Sequence, residues 1–184
     1  MSWKIDNAHS LVEFSVRHMM ISTVRGRFER FSGTVEFNEN DPAASSVDVQ
    51  IEAASINTNE PQRDNHLRSA DFFEAETYPY LSFKSTRVEK VDENNGRIYG
   101  DLTIRNVTRP VVLEIEYNGQ AKSPWGTTSA GFTANTKINR KEWNLVWNQA
   151  LETGGVLVGD EIKIHIELEI VKIAQEAAEA AAVA

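Results

Sequence analysis

Cysteine is absent from the 184-residue chain. The protein therefore has no disulfide framework and no thiolate for catalysis or zinc binding, which is compatible with a reducing cytoplasm. Long apolar runs are also missing, and no stretch approaches the about 18 residues of a membrane-spanning helix. Residues 1–6 lack the basic start and apolar core of a secretory signal. We therefore expect a cytoplasmic protein without a transmembrane segment.

Positive charge is scarce as well. The formal net charge is −8, so the surface as a whole repels phosphate backbones, and nucleic acid is not expected as a partner. Hydrophobic residues make up 41% and charged residues 25% of the chain, which is an ordinary globular balance. A single domain of this length can bury a full core or enclose a ligand cavity.

The common catalytic motifs are missing too. The chain has no nucleophile elbow, phosphate-binding loop, dinucleotide fingerprint or zinc-protease motif. Its histidines, His9, His18, His66 and His165, lie far apart and lack the short spacing of metal-binding pairs. We therefore predict no catalytic residues, no metal and no cofactor.

The dominant pattern in the sequence is the alternation of apolar and polar residues with a period of two. In residues 162–170, isoleucine and leucine alternate with charged residues and histidine, as in a strand with one wet face. The same pattern predicts eight strands near residues 10–18, 24–37, 46–55, 81–90, 97–105, 111–118, 128–138 and 161–172. Such strands form a sandwich or a barrel. We favour an all-β antiparallel barrel, since closure removes exposed edges and leaves room for a ligand.

Two segments depart from the β pattern. Asn59 is a candidate N-cap, followed by Pro61 in a first helical turn, which predicts a short helix to about Ala70. Residues 174–184 are almost all alanine and favour a helical tail without function. We therefore divide the chain into a barrel domain, 1–173, and this tail.

Strand parity predicts which side chains face the pore. The apolar half of each alternating face is assigned to a cavity, and small inward residues such as Gly100 and Ala134 leave it unfilled unless neighbours pack into the gaps. The predicted pore residues are Phe14, Val16, Phe31, Phe83, Leu102, Ile104, Phe132, Trp143 and Trp147. The two tryptophans share a face if their stretch is extended, and either cap a lipid tail or belong to an ordinary core.

Polar side chains continue two of these apolar faces. His18 follows Val12, Phe14 and Val16 in parity, and Arg140 follows the inward face of the 128–138 strand. A cation at the rim of an apolar face suits an anionic or polar head. Equally, His18 can be a satisfied core histidine and Arg140 the partner of a carboxylate. In the 24–37 strand, the same parity joins Arg25 and Arg27 to Phe31, which places the two arginines at one end of the pore-facing side.

Several segments together resemble the YceI-like family of polyisoprenoid-binding, lipocalin-like proteins. They are WKIDNAHS (3–10), FSVRH (14–18), VRGRF (24–28), RDNHLRSADFF (63–73), YPYLSF (78–83), GDLTIR (100–105) and INR (138–140). Two positions where the family usually has glycine carry asparagine here, Asn106 and Asn144. Asparagine tolerates left-handed backbone, so the turns can survive the change.

The resemblance implies an extended eight-stranded lipocalin-like barrel that holds an isoprenoid chain in its pore, with no established catalysis. By motif it also implies that His18, Arg63, Asp64, His66 and Arg140 form a headgroup or structural network near the barrel ends. The expected function is non-catalytic binding, storage or transport of a long isoprenoid lipid, such as a polyprenyl phosphate or an isoprenoid quinone.

Two other functions stay open. One is an enzyme acting on a lipid head, with His18 or His66 as base and Asp64 or Asp101 as its orienter. The other is a closed-core barrel serving as a protein-interaction module. A homodimer also stays open.

Overall fold

Eleven β-strands make up most of the computed structural model, which describes residues 2–173. The strands are β1 Ser2–Ile5, β2 Leu11–His18, β3 Ser22–Phe28, β4 Phe31–Glu36, β5 Ser46–Glu52, β6 Ile56–Asn57, β7 Tyr80–Lys90, β8 Asn95–Ile104, β9 Val107–Lys122, β10 Thr128–Asn139 and β11 Val158–Lys172. The helix is α1, Pro61–Arg68, and the four 3₁₀ helices are Asn7–His9, Pro42–Ala44, Ala53–Ser55 and Arg140–Trp143. The predicted tail, 174–184, lies outside the described residues.

The strands close into an eight-stranded antiparallel barrel, as the sequence predicts. Neighbours run β4, β5, β7, β8, β9, β10 and β11, and β1 closes the circle by pairing with both β4 and β11. The strands β2, β3 and β6 lie end to end with β1, β4 and β5, respectively, along the barrel wall. They are held there by the pairs β11–β2, β2–β3 and β3–β6. Eleven strands therefore fill eight positions because three of these positions are broken in two.

The break between β3 and β4 changes which side chains face inward. Phe28 ends β3 buried, and Phe31 starts β4 also facing the interior. Between them, the backbone N–H groups of Glu29 and Arg30 donate to the carbonyl and the hydroxyl of Ser55, at 3.1 Å each. The two intervening residues reverse the parity, so the expectation that Arg25 and Arg27 share the face of Phe31 is wrong. Both arginines are exposed.

The N-cap of α1 lies one residue later than predicted. The carboxylate of Glu60 accepts the N–H groups of Gln62 and Arg63 at 3.2 and 2.8 Å, so Glu60 is the N-cap. Asn59 instead takes a left-handed φ of 60° in the turn before it. The glutamate side chain thus accepts hydrogen bonds from the first-turn N–H groups, the role that the sequence prediction gave to asparagine.

The two turns with asparagine in place of glycine behave differently. Asn144 has φ 61° and ends the 3₁₀ helix Arg140–Trp143 in the left-handed region, where asparagine is tolerated. In the hairpin between β8 and β9, the left-handed residue is Arg105, with φ 55°, and not Asn106. The Arg105 guanidinium donates to the Glu74 carboxylate at 2.7 Å, which holds this turn against the segment that follows α1.

The barrel has two unlike ends. The first, called here the helix end, carries α1, the β8–β9 hairpin and the 140–157 segment. The second, called here the open end, carries the β4–β5, β7–β8 and β9–β10 connections. Within residues 2–173, no helix has the length and apolarity needed to cross a bilayer.

Candidate ligand-binding cavity

A long cavity of about 610 Å³ runs inside the barrel. This volume falls within the range of about 300–1,000 Å³ typical of small-molecule sites. Inward side chains from most of the barrel strands form its wall, and nearly all of those deep inside are apolar. They include Val12, Phe28, Val49, Leu81, Ile98, Val111, Leu113, Ala134, Ile138, Ile162, Ile164 and Ile166.

Two glycines on the barrel wall are covered by aromatic rings. A side chain at Gly26 would overlap the ring of Phe14 on the paired strand, and one at Gly100 would overlap the ring of Phe83. Neighbouring rings therefore fill these two gaps, which is the packing alternative left open for Gly100. Ala134 is different, since it lines the cavity itself. The free space thus comes from the barrel's width more than from its glycines.

The helix end of the cavity is closed. Leu67 of α1 and the aromatic pair Phe72 and Phe73 line it from one side, and Leu145 lines it from another. Phe72 and Leu145 are buried, and the Phe73 ring packs edge-on against Phe28. These plug side chains offer a bound molecule more apolar contact, and none of them carries a charge.

The opposite end of the cavity reaches solvent. Among the described residues, the exposed members of the wall all belong to the β4–β5 and β7–β8 connections and the strand ends next to them. They are Glu36, Glu39, Ser46, Lys90, Asp92, Glu93, Asn94 and Asn95. We call this opening the mouth.

Carboxylates dominate the mouth. Its acidic lining residues are Glu36, Glu39, Glu89, Asp92 and Glu93, and its basic ones are Lys90 and Arg97. Arg97 donates to Glu114 at 3.0 Å and lies 4.0 Å from Glu89, and these partners raise its pKa. Hydrogen bonds from Asn94 and Asn95 lower the pKa of Asp92, so this carboxylate stays ionised at neutral pH. The mouth is therefore negative.

Most of the predicted pore residues lie on the cavity wall. Those that line it are Phe14, Val16, Phe31, Phe83, Leu102, Ile104 and Phe132. Their alternation could be read because each sits in an unbroken stretch of strand, where parity decides the face. Contact of these side chains with a ligand stays a prediction.

The two tryptophans lie behind the cavity wall. The stretch that contains them is not extended, because it starts as a 3₁₀ helix. Trp143 is 1% exposed and donates its indole N–H to the Leu102 carbonyl at 2.9 Å. Trp147 packs against His66 and Phe72, with ring centroids 4.6 and 5.5 Å away. Of the two alternatives, these contacts match ordinary packing at the helix end.

Arg140 lies at the inner edge of the wall and is 3% exposed. Its guanidinium binds backbone carbonyls of the 144–159 segment. The acceptors are Gly159 at 2.9 Å, Leu145 at 2.6 Å, Trp147 at 2.9 Å and Val158 at 3.4 Å. Burial lowers its pKa and the nearby Asp160, at 3.7 Å, opposes this, so the group keeps its charge. These bonds occupy four of the five N–H donors of the guanidinium.

Arg63 and Asp64 join in one chain of hydrogen bonds through Thr58. The Thr58 hydroxyl donates to Asp64 Oδ1 at 2.5 Å and accepts from Arg63 Nε at 2.8 Å. The Thr58 backbone N–H also donates to Asp64, at 2.9 Å, and its carbonyl accepts from Arg63, at 2.8 Å. Asp64 and Thr58 are buried. The network ties the start of α1 to the end of β6.

The two predicted histidines lie apart from this network. His66 Nε2 is 2.8 Å from the Asp71 carboxylate, and its ring meets Phe72 and Trp147 edge-on. His18 ends β2 opposite Ser22 and Val158 and is half-buried. The structure thus places His18, Arg63, Asp64, His66 and Arg140 all toward the helix end. The headgroup role stays a prediction, and the contacts of Arg63, Asp64, His66 and Arg140 are structural.

The mouth carboxylates are what the sequence reasoning missed. In the sequence, these residues look like those of any polar turn. Only the antiparallel pairing of β5 with β7 brings the β4–β5 and β7–β8 turns to one opening.

One group within residues 2–173 has the side chains to hold a metal ion, namely Asp6, His9 and Glu169, whose ligand atoms lie within 4.8 Å of one another. His9 Nδ1 already pairs with Asp6 at 2.9 Å and its side chain is 68% exposed. The Asp6 side chain also accepts the Ala8 N–H at 3.0 Å. These hydrogen bonds stabilise the connection between β1 and β2, which explains why the three side chains lie together.

The chain matches a known domain family over nearly its whole length. The YceI-like domain matches residues 3–170. The chain belongs to the YceI-like family. A YceI protein of Escherichia coli is 45% identical over 145 residues, which is 78% of this chain and 75% of that protein.

Solved YceI-like structures share the barrel. The YceI protein of Campylobacter jejuni is 35% identical, with a TM-score of 0.74, over 86% of this chain and 90% of that one. A polyisoprenoid-binding domain from Saccharophagus degradans is 12% identical, with a TM-score of 0.64, over 91% of this chain and 97% of that one. At that identity, the likeness shows the fold alone.

Proposed function

We propose that this YceI-like protein binds one long-chain isoprenoid lipid in its cavity and carries or stores it without chemical change. The observation that carries the proposal is the apolar cavity of about 610 Å³, plugged at the helix end and open at the mouth. The polyisoprenoid-binding domain of Saccharophagus degradans, which has the same fold, supports the choice of lipid.

The dimensions of the barrel suit an extended chain. The 12 residues of β10 span about 40 Å along the strand, and a tilt of about 40° leaves about 30 Å along the barrel axis. Each buried CH₂ contributes about 0.8 kcal/mol. Affinity should therefore rise with chain length until the tail reaches the plug formed by Phe72 and Phe73.

The two alternative functions receive less support. Asp64, one of the proposed orienters, already accepts two hydrogen bonds from Thr58 and is buried. Asp101, the other, is exposed on β8. A closed-core interaction module conflicts with a cavity of this volume. Non-catalytic binding is thus the function that the geometry supports best.

Blocking the cavity tests the proposal. Ala134 is buried and lines the wall, so Ala134→Phe projects a ring into the space that a tail would occupy. Asn135→Phe is the matched control, because Asn135 is the next residue on β10 and is exposed. We expect delipidated protein to bind geranylgeraniol more tightly than farnesol and farnesol more tightly than geraniol, as measured by quenching of tryptophan fluorescence.

Ala134→Phe should weaken geranylgeraniol binding by at least about tenfold, since several CH₂ contacts are lost, and Asn135→Phe should leave it unchanged. Equal binding by both variants, or no dependence on chain length, would refute the proposal. A straight-chain alcohol of equal length separates an isoprenoid site from a general lipid site.

The cytoplasmic location and the homodimer stay predictions of the sequence. Cell fractionation with the native chain tests the first. Light scattering coupled to size-exclusion chromatography, with and without lipid, tests the second.

A further inference from the structure

The mouth and the plug together constrain the head of the bound molecule. At the plug, the lining side chains Leu67, Phe72, Phe73 and Leu145 offer no charge, and four of the five N–H donors of the nearby Arg140 are bound to backbone carbonyls. A charged head placed there would lose its hydration without gaining a partner, which is costly. The head therefore stays at the mouth.

The charges at the mouth are unbalanced. Five carboxylates line it against two cations, Lys90 and Arg97. Arg97 already pairs with Glu114 and lies near Glu89. Apolar walls next to the opening keep the dielectric low on one side, which strengthens the interaction of these charges with a nearby head.

We propose that the mouth selects the head of the bound amphiphile by charge, accepting uncharged and cationic heads and disfavouring phosphate or carboxylate heads. This inference rests on the proposed function, since it requires an apolar chain in the cavity. It separates the two ligand classes that the sequence left together: an isoprenoid with an uncharged head such as a quinone fits the mouth, and a polyprenyl phosphate does not.

Three ligands with one tail test the selection. Farnesol, farnesylamine and farnesyl phosphate share the farnesyl chain and carry a neutral, a cationic and an anionic head at neutral pH. At low salt, we expect farnesyl phosphate to bind about three- to tenfold more weakly than farnesol, and farnesylamine to bind at least as tightly as farnesol. The gap between phosphate and alcohol should shrink as NaCl rises from about 20 to about 500 mM, because the Debye length falls to a few ångströms.

A charge-matched pair of variants localises the effect. Glu39 and Glu93 lie exposed at the mouth. The double variant Glu39→Gln/Glu93→Gln should therefore roughly halve the phosphate–alcohol gap, expressed as the logarithm of the ratio of the Kd for farnesyl phosphate to the Kd for farnesol. Glu152 and Glu161 are exposed near the helix end, so Glu152→Gln/Glu161→Gln makes the same change in net charge away from the mouth. This control should leave the gap unchanged.

The outcomes are distinct. Failure of all three ligands to bind would overturn the proposed function itself. Binding of all three with equal affinity, tighter binding of the phosphate, or an equal response of the two double variants would overturn the selection by charge and leave the proposed function standing.

Discussion

Replacing Arg140 should destabilise the whole fold, because its side chain holds the helix end of the barrel together. The effect should not depend on a lipid head. The side chain is 3% exposed, and three backbone carbonyls accept its hydrogen bonds within 2.9 Å. Arg140→Gln leaves most of these carbonyls buried without a donor, at about 1–3 kcal/mol each. We therefore expect the free energy of unfolding to fall by about 3–5 kcal/mol, the usual cost of removing one partner of a buried charged group.

Such a loss is easily measured. A domain of this size loses about 2–4 °C of Tm for each kcal/mol, so Arg140→Gln should lower the Tm of the lipid-free protein by about 10 °C. Arg140→Lys should fall between Gln and wild type, because the ammonium keeps the charge but cannot span the same carbonyls. Arg25→Gln is the control, since Arg25 is exposed on β3, and its Tm should not change.

The opposite result would restore the headgroup role. If Arg140→Gln melts like wild type but binds farnesyl phosphate more weakly, with farnesol binding intact, then the guanidinium serves a ligand and its hydrogen bonds to the chain contribute little. Urea unfolding of the same variants checks that the transition stays two-state and that the m-value is unchanged.

Three further outcomes follow from single contacts. Leu102→Asp places a charge in the wall at a buried position, so lipid should no longer co-purify or the fold should collapse, and a stable, lipid-loaded variant would show that Leu102 does not face the cavity. Asn144→Ala should lower the free energy of unfolding by about 1 kcal/mol, because alanine is strained in the left-handed region, whereas Asn144→Gly should be near neutral; similar urea midpoints for both would refute this. The hydrogen bond between His9 and Asp6 raises the pKa of His9 above 6.5 and lowers that of Asp6 below 3.8. The stabilisation from this hydrogen bond is therefore present between these pH values, and it is lost as pH rises through the raised His9 pKa or falls through the lowered Asp6 pKa. His9→Gln should flatten the decline of Tm above about pH 6.5. An unchanged dependence of Tm on pH would contradict a stabilising hydrogen bond between His9 and Asp6.

Much of the barrel could be predicted from alternation alone. The β10 and β11 strands are long and unbroken, so a period of two assigns their faces directly, and Phe132 lies where parity places it. The same logic failed at Glu29 and Arg30, where two residues bonded to Ser55 reverse the inward face. Such a break depends on a residue more than 20 positions away along the chain, and no local pattern reports it.

The chemistry of the site was less accessible from sequence. Parity correctly brought Arg140 to the cavity wall, but its partners are carbonyls of a loop, and every residue has a carbonyl. Sequence patterns therefore contain no signal for that role. The acidic mouth is hidden for a related reason, since Glu39 and Glu93 come together only through the strand order of the closed sheet.

The central claim is that the apolar cavity holds one long isoprenoid chain. Mass spectrometry of an organic extract from the purified full-length protein tests it most directly, beside extracts of Ala134→Phe and Asn135→Phe prepared in the same way. We expect an isoprenoid lipid near one molecule per chain in the wild type and in Asn135→Phe, and its loss from Ala134→Phe. Extracts without such a lipid, or with equal amounts from all three proteins, would contradict it.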